Sequence, residues 1–201
     1  MAVYTAKTFD HLIGTAGFSD TLLKNHFTLY QGYVTNTNKL LDEFDALRKE
    51  NKLSTPGYAE MKRRFGWEFD GMRLHEYYFG NMTKTAKPVD QASPLGQQFK
   101  NSFGSFDDWM KDFKATGAMC GIGWAATVWD PTAQRLYNIW VNEHDTGHLA
   151  TCPIVLIMDV FEHAFMLDYG VKRADYIEAF YNAIDWNVVQ GRLDHAVKSC
   201  K

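Results

Sequence analysis

The apolar pattern of this chain changes period in mid-sequence, and that change limits what the chain can fold into. Through "FSDTLLKNHFTLYQGYVTNTNKLLDEFDALRKEN", residues 18–51, Leu22, His26, Leu29, Tyr33, Leu40 and Phe44 recur at spacings near three, four and seven, which predicts a long amphipathic helix. Ser19 and Asp20 are its candidate caps, and a break is expected near residues 35–38. The next stretch, "STPGYAEMKRRFGWEFDGMRLHEYYFGNM", opens with Thr55 before Pro56, a cap followed by proline at the first helical position. A second long helix should therefore pack antiparallel to the first.

"TKTAKPVDQASP", residues 83–94, reads as a connection, and "SPLGQQFKNSFGSFDDWMKDFKATGAM" as two shorter helices. The second of these is capped by Ser105, with Asp107 and Asp108 placed favourably for the helix dipole. Then the period shortens. "GWAATVWD" and "QRLYNIWVNEHD", joined by the turn "DPTAQ", predict a hairpin, and the continuous, β-branched run in "CPIVLIMDV" predicts a buried strand. The tail "RADYIEAFYNAIDWNVVQGRLDHAVKSC" returns to helical spacing. The sum is an α+β chain: an N-terminal antiparallel α-hairpin domain over residues 1–85, and a C-terminal domain over 86–201 whose small three-stranded antiparallel sheet is flanked by helices.

At 201 residues, with 46% hydrophobic and 15% aromatic content, the chain can bury a sizeable core. Its net charge of −3 and scattered Lys and Arg exclude a phosphate-binding stripe, so no nucleic-acid partner is expected. No run approaches the roughly 18 apolar residues that span a bilayer, and the start "MAVYTAKTFD" has no secretory pattern. Cys120, Cys152 and Cys200 form no CxxC pair. A cytoplasmic protein without a membrane partner is the expectation.

The chemistry rests on histidines and one acid. His26 and His75 lie mid-helix on apolar faces, where a histidine is usually a hydrogen-bonded core residue. Asp159 ends the buried strand, where a lone carboxylate is costly unless it pairs with a cation or is fully hydrogen-bonded, and it could equally cap the following helix. His163 follows four residues later. Three imidazoles and one carboxylate would suit a transition metal's preference for mixed nitrogen and oxygen ligands.

Nearly the whole chain resembles the iron/manganese superoxide dismutase family. The motifs that carry the resemblance are "HFTLYQGYVTNTN", "GMRLHEYYFGNM", "FGSFDDW", "GIGWAATVWD" and "DVFEHAFMLDY" with "RADY" after it. The resemblance implies that His26, His75, Asp159 and His163 ligate one iron or manganese ion per subunit between the two domains, with iron favoured. It implies superoxide as substrate, disproportionated to dioxygen and hydrogen peroxide by cycling of the ion between +3 and +2. Tyr33 matches the family's gateway tyrosine, Arg173 its funnel arginine, Trp124 a cavity-wall aromatic, and Glu162 an acid that reaches the partner subunit's ligand histidine. At least a homodimer follows, with a tetramer left open.

Several positions depart from the family pattern. Tyr33 follows His26 by seven residues, not the usual eight; seven residues advance about 700°, so both still share a face and no helix bulge is expected. The glutamine that tunes the metal-bound solvent is missing: Gly71 stands at its iron-type position, and the loop "VNEHDTGHLATCP" offers only His144 and His148. His148 is preferred as that donor because "HLATCPIVLIMD" is similar to an archaeal form, with His144 second. A charge change near neutral pH at one of them would distinguish it from a glutamine. Phe79, Phe161 and Met166 replace larger or hydroxyl-bearing aromatics, and Met166 removes a hydrogen-bonding link. Two other readings stay open: a non-haem iron oxygenase, whose facial triad needs only two histidines and an acid, and a metal-binding relative without turnover.

Overall fold

The computed structural model describes residues 3–199. In chain order its elements are a 3₁₀ turn at Asp10–Leu12, α1 (Asp20–Lys49), α2 (Pro56–Gly80), α3 (Pro94–Phe103), α4 (Phe106–Gly117), β1 (Gly123–Asp130), β2 (Arg135–Asn142), β3 (Ile154–Asp159), a 3₁₀ turn at Glu162–Ala164, α5 (Met166–Tyr169), α6 (Arg173–Tyr181) and α7 (Trp186–Ser199). The α+β class is the expected one.

Each of the first four helices starts where a hydroxyl can take an orphan amide. Ser19, Thr55, Ser93 and Ser105 accept from the N–H groups of Leu22, Tyr58, Gly96 and Asp108, each cap stabilising its helix by about 1 kcal/mol. The antiparallel hairpin is read off its cross-contacts: Phe44 meets Tyr58, Asn36 meets Glu68, and Tyr30 meets Glu76.

Two expectations for α1 are corrected. The helix does not break at residues 35–38. The two asparagines there would compete with the helix only if they lacked other partners, and they have them: Asn36 donates to Glu68, while Asn38 accepts from the amides of Val3 and Tyr4 and donates to the Tyr4 carbonyl. Leu29 is not on the buried stripe but 36% exposed. The stripe runs instead through Leu23, Phe27, Tyr30, Val34 and Thr37. No bulge interrupts the helix between His26 and Tyr33.

The sheet has strand order β2-β1-β3, antiparallel throughout, with a register shift between Thr127 and Val128. α3 and α4 pack on β2, α4 also on β1, and α2 and α7 on β3. That cover explains why the run from Val155 to Met158 is fully buried. One apolar core continues through both halves of the chain. Asn81, just past α2, ties the hairpin to the sheet: its Nδ2 donates to the Tyr78 carbonyl, and its Oδ1 accepts from the Ile157 amide at 3.0 Å and from Arg192 Nη1 at 3.1 Å. The end of α2 is thereby held two residues before Asp159. Among the described residues no helix is long and apolar enough to cross a membrane. Cys120 and Cys152 are free thiols, and Cys200 lies outside the described residues.

Candidate metal centre

Four side chains from four places in the chain converge between the hairpin and the sheet. His26 comes from the middle of α1, His75 from the last turns of α2, Asp159 from the end of β3 and His163 from the 3₁₀ turn that follows. One nitrogen or oxygen from each lies within 4.8 Å of all the others. His26, His75 and Asp159 are buried, whereas the His163 side chain is 28% exposed.

The hydrogen bonds orient this set. Asp159 Oδ1 accepts from the Phe161 amide two residues on, a turn contact just before the 3₁₀ turn, which leaves Oδ2 to face the imidazoles. Oδ2 lies 3.2 Å from His26 Nε2, 3.2 Å from His163 Nε2 and 3.5 Å from His75 Nε2. Asp159 is therefore not the N-cap expected as its alternative role, since the turn that follows starts from Phe161 without a side-chain cap. The main chain is held as well, since Tyr176 donates its hydroxyl to the Asp159 carbonyl and meets Tyr78 Oη at 3.1 Å. His75 Nδ1 donates to the Gly71 carbonyl, so its Nε2 carries the lone pair, and that atom is buried with no hydrogen-bond partner. An orphaned lone pair inside a core is costly unless something electropositive meets it.

Charge states suit the same occupant. Burial pushes His26 and His75 below the usual histidine range, so both are neutral. Burial alone would raise Asp159, but His163 and His26 outweigh it and hold the carboxyl far below its ordinary range. Neutral imidazoles beside an ionised carboxylate are the donor set that a divalent or trivalent transition ion takes. The residues fit an iron or manganese ion.

Around the four donors stand the other expected residues. The Tyr33 ring stacks on His75 at 5.3 Å, Trp124 meets His75 edge-on at 5.0 Å, Phe79 meets His26 at 4.8 Å, and Phe161 stacks on His163 at 5.1 Å. Trp124 is also the strand partner of Asp159. His144 is fully buried: Trp124 Nε1 donates to its Nδ1 at 3.1 Å, and its Nε2 meets Tyr33 Oη at 2.8 Å. His148 lies farther out, its Nε2 at 2.9 Å from the His144 carbonyl and 3.7 Å from Asp70. Of the two histidines, His144 is the one that meets Trp124 and Tyr33. Burial pushes His144 down to about 4, so it does not change charge near neutrality. The Tyr33 phenol is pushed up to about 12, first by burial and then by the Asp159 charge.

Arg173 donates to the carbonyls of Met119 and Gly121 and lies over the Phe165 ring. Glu162 is exposed, and Met166 is 50% exposed. Sequence reasoning missed two neighbours of the gateway. Trp67 meets His144 edge-on at 4.9 Å, and Arg64 lies over Trp67 while pairing with buried Glu68 at 2.6 Å. Their signal was present: Trp67, Gly71 and His75 follow one another at intervals of four on α2.

Comparison with known proteins agrees with the geometry. Residues 91–192 match the family described as iron/manganese superoxide dismutases, C-terminal domain. The protein named superoxide dismutase (Fe) of Aquifex pyrophilus is 32% identical over 206 residues, covering 99% of this chain and 96% of the relative. That of Saccharolobus solfataricus is 32% identical over 168 residues, covering 82% and 79%. Superoxide dismutase (Mn) 2 of Haloferax volcanii is 30% identical over 174 residues, covering 87% and 85%. A chain with this fold, this donor set and these relatives belongs to the iron/manganese superoxide dismutase family.

Proposed function

We propose that this protein is a superoxide dismutase, converting two superoxide ions and two protons to dioxygen and hydrogen peroxide. The observation that carries the reading is the buried, unpartnered Nε2 of His75 facing Asp159 and two further imidazoles in a member of this family. His26, His75, Asp159 and His163 would hold the ion, iron by preference or manganese, since relatives of both kinds match. When bound it supplies a one-electron couple between +3 and +2. A third histidine in the set argues against an oxygenase triad, which leaves that position open.

The remaining residues handle protons and access. Because Trp124 Nε1 can only donate, the neutral His144 ring accepts at Nδ1 and keeps its own proton on Nε2. That N–H donates to Tyr33 Oη, so the Tyr33 hydroxyl proton is free to point toward the centre. With His144 neutral below and Tyr33 protonated above the physiological range, the pair is a fixed relay that offers a proton without changing its resting charge. His144 takes the place of the missing glutamine in this scheme. The Arg64 field reaches Tyr33 and His144, and with Arg173 it favours an anion in a chain that is acidic as a whole.

We read the active form as at least a homodimer. Exposed Glu162 beside His163, with Met166, Leu167 and Val171 exposed on the same segment, supports a partner surface there. The hairpin, residues 1–85, and the remainder, 86–201, are read as two units that share the centre. A cytoplasmic location is supported by the free thiols Cys120 and Cys152.

The function is tested by superoxide decay after separate reconstitution with iron and with manganese, bound metal being assayed in each preparation. Fast decay with one ion identifies the working metal, and equal rates identify use of both. No acceleration over free metal at full occupancy would leave a metal-binding relative without turnover.

A further inference from the structure

The loop over residues 143–153 carries His144 into the centre, and His144 is its only buried residue. The ring itself rests on Phe161 at 4.7 Å and on Trp67 at 4.9 Å, and polar bonds set the course of the main chain that carries it. Asn142 and Thr146 close the turn, with Asn142 N donating to the Thr146 carbonyl at 2.7 Å. Glu143 stands in the left-handed region at φ +52° and gives its amide to the Ile122 carbonyl at 3.0 Å. Gly147, at φ +106°, then turns the chain back so tightly that a Cβ there would stand 2.6 Å from the Trp140 carbonyl oxygen. That reversal brings the His148 ring beneath the tip of the turn.

We propose that His148 is the positioning residue for His144, a brace that spans the loop and leans on Asp70 of α2. A carbonyl only accepts, so the 2.9 Å contact requires that His148 Nε2 donate to the His144 oxygen. The Asp70 carboxylate lies 3.7 Å from the same nitrogen, which sets the ring beside the helix that carries His75. The loop, which bears the relay, is thus registered against α2, which bears a metal donor. Without the brace the His144 carbonyl loses its side-chain donor, the turn is less tightly held, and His144 Nε2 drifts from its alignment on Tyr33. The proposal rests on the reading of His144 as the proton-handling residue.

The test uses one pH, with the protein metal-free for spectroscopy and metal-loaded at matched occupancy for kinetics. In metal-free wild type, imidazole nitrogen correlation spectra should show His144 as a single Nε2–H form. In His148→Leu, with strand amide signals unchanged, the His144 signals should broaden or move toward a mixture of tautomers. Superoxide decay per bound metal should fall roughly tenfold, the scale of one lost hydrogen bond. His148→Gln, which still presents an N–H, should recover most of the loss. Wild-type spectra and rates in His148→Leu would overturn the brace. His144→Ala tests the footing: a full rate there would remove His144 from the chemistry and the proposal with it. Expected spectra without catalysed decay in loaded wild type would instead sink the dismutase reading and leave the brace standing.

Discussion

The ring of Tyr33 lies against the bare Cα of Gly71: a Cβ built at Gly71 would stand 2.5 Å from Tyr33 Cδ1 and 2.7 Å from Cε1. No side chain fits there unless the ring moves. The position is therefore closed to the glutamine that the family resemblance places at this site in iron enzymes. Gly71→Gln should displace Tyr33, break its 2.8 Å bond to His144, destabilise the fold by about 1–3 kcal/mol and cut superoxide decay at equal metal content. Urea unfolding and pulse kinetics check both parts; wild-type values in each would show that the ring has room to yield.

Asp159 makes a second, sharper case. Its Oδ2 is the common neighbour of three imidazole nitrogens, and its side chain is wholly buried. Asp159→Ala should leave the metal content after reconstitution near zero. Metal should raise the melting temperature of wild type, since a ligand that binds only the folded state stabilises it, and should leave that of the variant unmoved. Metal analysis with calorimetry decides it, and stoichiometric binding in the variant would disprove the ligand assignment.

The pH dependence of the metal-free protein follows from His144. Its folded value, about 4, lies below the ordinary histidine value of 6.5, so between these limits the unfolded chain binds a proton that the folded chain refuses. Stability is complete above about pH 6.5 and is lost on acidification, by on the order of 2 kcal/mol from pH 6.5 to 5 for this group. Buried His26 and His75 act in the same direction. Urea unfolding of metal-free wild type and His144→Gln at both pH values should give a shallower dependence in the variant; parallel curves would refute the assignment.

Asn81→Ala should be among the more damaging single changes outside the centre. It removes the acceptor of the Ile157 amide and of Arg192 Nη1 at a fully buried position, which leaves the strand amide without its acceptor and half-buried Arg192 with only the Val155 and Tyr77 carbonyls. A loss of about 2–4 kcal/mol is expected, read as a shift in the urea midpoint without a change in slope. A shift under 1 kcal/mol would mean that water replaces the side chain there.

Much of this was legible before the structure. Helix starts at Ser19, Thr55 and Ser105, the change to strand period at Gly123 and the acid at the end of β3 are written in stretches of four to eight neighbouring residues, because capping and alternation act at that range. The four candidate metal donors stood out one by one as residues out of place on apolar elements, and the family resemblance joined them in one site, since His26 and Asp159 meet across 133 positions and no local pattern links them.

What the tertiary structure alone decided is which side of an ambiguous element faces inward. The break expected in α1 vanished because Asn36 and Asn38 found partners on α2 and on the N-terminal segment. His144 turns inward because it meets Trp124, 20 positions away, and Tyr33, 111 away, while His148 stays farther out. Local sequence determines where a helix begins and where a strand ends, because the groups that satisfy one another there are chain neighbours. The inward face of a loop is set by distant donors and acceptors, and these meet only once the hairpin has closed on the sheet.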